Sequence, residues 1–170
     1  MLQKLNLQDF KQVYDIMEAS FPKDEHRPYN EQKALLDIKE YQIYVEKEDK
    51  RIKGFLAVWE FDEVCFIEHF AVNSAYRNKG LGAKMIKELC NQIPKRVCLE
   101  VELPDTEMAR RRIGFYERNN FYYNAYSYMQ PSISIGRNPI PLRIMTTNGK
   151  ITEEEFLEIK ELLYRRVYKC

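Results

Sequence analysis

The stretch that most restricts the fold is VCFIEHFAVNSAYRNKGLGAKMI, residues 64–86. Its first nine residues are apolar enough for a strand in the middle of a sheet. The last residues carry a helical pattern, with Leu81, Met85, Leu89 and Ile93 at spacings of four. Between them lies a turn with two glycines and two basic side chains. A helix start leaves four backbone N–H groups unpaired at the positive end of the macrodipole. Glycine removes the Cβ atoms that would keep an anion away, and Arg77 and Lys79 add charge. Strand, bare turn and helix together predict an α/β fold built around an anion-binding loop.

The rest of the chain is read around that unit. LNLQDFKQVYDIMEASF spaces Phe10, Val13, Met17 and Phe21 as one helical face, so a helix runs from about Asp9 to Ser20 and Pro22 stops it. KDEHRPY is a polar loop, and a short helix opens at Asn30 and runs through Leu35 and Leu36. YQIYVEKEDKRIKGFLAVWEF alternates and turns at EDK, which makes a hairpin. RVCLEVEL is a further strand and TEMARRRIGFYERN a helix. FYYNAYSYM reads as an edge strand with half-buried rings, and IPLRIMTT as another strand. A last helix covers ITEEEFLEIKELLYRRVY, opened by a Thr152–Glu155 capping box. We expect one domain over residues 1–170, a mixed sheet with helices on its faces, and a C-terminal strand and helix appended over 131–170.

Composition narrows the function. Twenty-seven basic and 26 acidic side chains leave a net charge of +1, so no broad footprint for nucleic acid or an anionic membrane is expected. The four cysteines show no CxxC spacing, and only His26 and His69 could join them, so no metal site is expected. The opening MLQKLNLQDF lacks the apolar core of a secretory leader, which sets the expectation of a cytoplasmic protein.

Three kinds of anion loop compete. A Walker loop needs Gly-x4-Gly-Lys-Ser/Thr, and the chain has none. A dinucleotide loop needs Gly-x-Gly-x-x-Gly; Gly80 and Gly82 fit, but the third position is Met85. Glu100 and Glu102, about 20 residues on, stand where a ribose-binding acid would, so a dinucleotide oxidoreductase stays as an alternative. The third loop is Arg-x-x-Gly-x-Gly after an apolar-Ala-Val strand end, and FAVNSAYRNKGLG matches every element. Here the chain resembles the GNAT superfamily of N-acetyltransferases over roughly residues 1–130.

That resemblance implies a mostly antiparallel central sheet of about seven strands flanked by helices, with the C-terminal helix as an extra. It implies acetyl-coenzyme A as co-substrate. Arg77, Asn78, Lys79, Gly80, Leu81, Gly82 and Ala83 would present the loop to the pyrophosphate. The backbone of Phe70, Ala71 and Val72 would pair with the pantetheine arm, which amounts to strand addition by a ligand. Tyr116 in RIGFYERNNF would be the acid that protonates the departing thiolate. This chain has Asn120-Phe121 where relatives often have Gly-Phe, Ala109 where an Asn is common, and Arg112 where a small residue is usual.

Acyl transfer to an amine also needs a base to take the ammonium proton. Strand alternation puts Glu68 on one face with Phe66, Phe70 and Val72, and His69 on the other. A carboxylate inside an apolar strand is costly without partners, which makes Glu68 a functional candidate. Relatives often carry a carboxylate on this face of the strand, so the resemblance implies Glu68 as the base, directly or through water, with a substrate-charge partner or a buried hydrogen-bonded acid as the other reading. Glu100 and Glu102 could form an acidic patch suited to a cationic amine, with a sheet-edge pair as the plain alternative. Glu25, Arg27 and Tyr29 lie where relatives place a mobile substrate loop. The reading is direct transfer of acetyl to a small-molecule or peptide amine. A non-catalytic acyl-coenzyme A binding module is the rival. Closing the cleft, pairing two copies as a homodimer, or finishing the core are all open roles for residues 131–170.

Overall fold

A computed structural model describes residues 1–170. Its seven strands are β1 (Gln3–Lys4), β2 (Tyr41–Glu48), β3 (Arg51–Glu60), β4 (Val64–Val72), β5 (Arg96–Glu102), β6 (Tyr122–Gln130) and β7 (Ile140–Thr146). Five helices accompany them: α1 (Phe10–Ser20), α2 (Tyr29–Ala34), α3 (Leu81–Gln92), α4 (Glu107–Arg118) and α5 (Glu153–Arg166). The sheet order is β1-β2-β3-β4-β5-β7-β6. Only β4 and β5 run parallel, because α3 carries the chain across between them. Sequence reading misses β1, two residues long, and places the remaining elements.

Local chemistry explains the helix limits. The Thr106 hydroxyl accepts from the Ala109 amide at 3.0 Å and opens α4. Thr152 and Glu155 form the reciprocal capping box of α5. Asn120 turns the chain from α4 into β6 at φ 70°, the left-handed region that asparagine tolerates.

Two cores sandwich the sheet. One face buries α1 and α5 through Phe10, Val13, Met17, Phe156 and Leu163. The other buries α3 and α4 through Met85, Ile86, Leu89 and Ile113. Burying each such side chain stabilises by about 1.5–3 kcal/mol.

The feature that creates a site is a fork. The β4–β5 pairing runs from Val64↔Arg96 to Ile67↔Leu99 and then ends, although β4 continues to Val72 and β5 to Glu102. Past Ile67 the β5-side edge of β4 has no strand partner. On its other side β4 is bulged: Ala57 pairs with His69 and Val58 with Ile67, so Glu68 has no opposite number on β3.

Candidate active site

A cavity of about 560 Å³ fills the fork, lined by Phe70, Ala71 and Val72 from β4, Glu100, Val101 and Glu102 from β5, Phe115 and Tyr116 from α4, and Glu25 and Arg77. Glu100 is the first β5 residue beyond the last β4 pair, so it stands at the apex.

At one mouth of the fork is the glycine turn. Gly80 sits at φ 77° as the residue before α3, and Asn78 is also left-handed at 65°. The first closed bond of α3 runs from the Lys84 amide to the Gly80 carbonyl at 3.1 Å. No amide from Arg77 through Ala83 donates to a backbone carbonyl. Seven consecutive N–H groups, running into the positive end of a twelve-residue helix, are therefore without a backbone partner. The two glycines serve different needs. A Cβ at Gly80 would meet open space but suffer its positive φ, whereas a Cβ at Gly82 would lie 3.3 Å from the Phe70 ring in the cavity wall. Arg77 folds back, its Nε donating to the Val72 carbonyl at 2.9 Å, so that carbonyl already has a partner within the chain.

Tyr116 packs against the α3/α4 core and lines the cavity. Burial pushes its phenol up to about 12, so it stays protonated at neutral pH and can donate.

The acidic side chains depart from the alternation read in the sequence. The β4 bulge resets the phase, so Glu68 and His69 point to the same side. Glu68 accepts from Trp59 Nε1 at 2.9 Å and pairs with Arg27 at 2.9 Å, while the His69 ring packs on Phe21. Phe70 and Val72 then belong to the opposite core. Glu68 does not line the cavity, and its side chain is 2% exposed. Burial works to raise its carboxyl, but Arg27 and the Trp59 bond outweigh that and hold it low. A carboxylate already matched to a buried guanidinium makes a poor base, so the role read for Glu68 does not fit its position. Arg27, itself buried, pairs with Glu68 and does not line the cavity. Tyr29 packs edge-on to Phe10 and Tyr14, outside the cavity.

Glu25, Glu100 and Glu102 do line it. Glu102 is bound by Arg112 at 2.6 Å. Glu25 is pushed up to about 7 by burial and then by Glu102, with Arg112 opposing. Glu100 also reaches about 7: burial raises it, hydrogen bonds from Tyr128 and Tyr168 lower it, and Glu68 and Glu25 raise it further. Those two tyrosines escaped sequence reading. Tyr128 shows only as one ring of a tyrosine-rich strand, and Tyr168 only as part of a helix end.

The protein thus has a mixed α/β fold whose mostly antiparallel sheet forks at its one parallel pair, with an unpaired amide run at the mouth of the fork. The family model "Acetyltransferase (GNAT) family" matches residues 10–121, and the chain belongs to that family. It is similar to a protein of Bacteroides thetaiotaomicron assigned to the GNAT family, at 32% identity over 100% of this chain and 99% of that one, with a TM-score of 0.92. The fold is shared with the ribosomal-protein-S18-alanine N-acetyltransferase of Escherichia coli (18% identity, 91% and 96% covered, TM-score 0.64). It is also shared with an aminoglycoside 6'-N-acetyltransferase complexed with coenzyme A (12%, 86% and 96%, 0.63). No curated protein sequence matches the chain.

Proposed function

We propose that this protein transfers an acetyl group from acetyl-coenzyme A directly to a cationic primary amine. The observation that carries the reading is the run of seven unpaired amides at 77–83 beside the unpaired edge of β4. Such a run suits a diphosphate, and the free strand edge suits an amide-bearing arm laid along it. The co-substrate brings the thioester; the chain binds, orients and moves protons.

Tyr116 and Glu100 approach the fork from opposite faces of the sheet. Tyr116 belongs to the α3/α4 side. Glu100 alternates with Leu99 and Val101 of that side and so shares the other face with Cys98. In the proposed reaction the amine nitrogen bonds the acetyl carbon and the C–S bond breaks. Glu100, directly or through water, takes the ammonium proton before attack, Tyr116 gives a proton to the departing sulfur, and the second proton shed by the nitrogen restores the phenol. A carboxyl near 7 is matched to that task at neutral pH. Glu25 adds a second carboxyl beside Glu100 for a positively charged acceptor, Glu102 being matched by Arg112, and both fold relatives named above are N-acetyltransferases by name. Direct transfer is favoured because no cysteine lines the cavity. Burial raises the thiols of Cys65 to about 12 and Cys90 to about 11, away from nucleophilic use.

The test is release of free thiol from acetyl-coenzyme A over a panel of cationic and neutral amines. Glu100→Gln and Tyr116→Phe are each expected to lower kcat by about 10²–10⁴-fold with little loss of coenzyme affinity. Coenzyme binding without thiol release on any amine would instead support a non-catalytic binding module.

A further inference from the structure

We propose that the hydroxyls of Tyr128 and Tyr168, from segments downstream of the residues matched by the family, are positioning groups that hold the Glu100 carboxylate for its work as base. This rests on the reading of Glu100 above. The Tyr168 hydroxyl donates to Oε1 at 2.7 Å and the Tyr128 hydroxyl to Oε2 at 2.5 Å. One donor on each oxygen fixes both the rotation and the tilt of the carboxylate, and each oxygen keeps a lone pair for the incoming amine or a water. Both donors are anchored. Tyr128 is 2% exposed, with Phe156 and Tyr164 of α5 against its ring. Tyr168 follows the last turn of α5, where its amide bonds the Leu163 carbonyl at 3.1 Å. β6 and the segment after α5 thereby reach the apex of the fork.

The grip also sets when Glu100 is ionised. Groups facing it are Cys98 on its own strand, Glu68 on β4 with its partner Arg27, Glu25 from the loop after α1, and Tyr164 on α5. Burial and the carboxylates Glu25 and Glu68 oppose ionisation, and the two hydroxyl donors favour it. Removing a donor leaves the opposition unanswered and raises the carboxyl.

The experiment is the pH profile of kcat/KM for Tyr128→Phe, Tyr168→Phe and the double variant, with Tyr164→Phe as control. A hydrogen bond to a charged group converts to roughly one to two pH units. The acidic limb is expected to move up by about that much in each single variant and further in the double, with activity restored at high pH. Tyr164→Phe leaves the limb in place. Equal loss at every pH with an unmoved limb would overturn the proposal. Titration of the Glu100 carboxyl by ¹³C NMR in Tyr168→Phe reads the same shift without turnover: an upward move supports the tyrosine grip and an unchanged value refutes it. Wild-type turnover in Glu100→Gln would remove the base reading alone, leaving that titration to decide what the tyrosines do.

Discussion

Two residues at the glycine turn separate backbone strain from packing. Gly80 is needed for its angle, 77°, and nothing crowds its missing side chain. Ala at that position pays for a left-handed conformation at about 1–2 kcal/mol, which in a chain of this length is roughly 2–8 °C of melting temperature. We therefore expect Gly80→Ala to melt lower by that amount in a thermal scan, and an unchanged midpoint would contradict the strain assigned there. The turn itself was legible in the sequence, because two glycines beside basic residues stand just ahead of a helical pattern. Glu68 was not. Alternation along VCFIEHFAV is regular on paper, and no residue type in it announces the extra residue that shifts the phase.

The loop between α1 and α2 is tied to β4 by the buried Arg27–Glu68 pair, whose side chains are 6% and 2% exposed. Gln32 extends the tie, accepting from the Arg27 amide at 3.3 Å and donating to Tyr41 at 2.9 Å. Removing one partner of a buried pair costs about 3–5 kcal/mol, because it strands the other charge. Arg27→Met should lower the urea midpoint accordingly at pH 7, and Arg27→Met/Glu68→Gln should recover much of it. Glu68 is held below its ordinary value, so its stabilisation is present above the usual carboxylate range and fades as pH falls through the depressed value. The gap between wild type and Arg27→Met should narrow in acid; a gap that widened there would refute the pairing. Element limits were readable from caps and periodicity, as with Thr152–Glu155 and the β2–β3 hairpin. The tie itself was not, since Arg27 sits in a polar stretch whose composition looks like surface loop.

At the scale of the whole molecule, function depends on how distant segments meet. β7 inserts between β5 and β6, and Tyr168 lies 68 residues from the Glu100 it grips. No local pattern encodes such neighbours, which is why the glycine turn could be read in advance and the setting of Glu100 could not. The central claim is that the free amides of residues 77–83 grip the diphosphate of the coenzyme. Amide hydrogen exchange, followed residue by residue with and without coenzyme A, tests it most directly. The account predicts fast exchange across 77–83 in the free protein and strong slowing there on binding. Saturating coenzyme A that leaves those amides exchanging as before would contradict it.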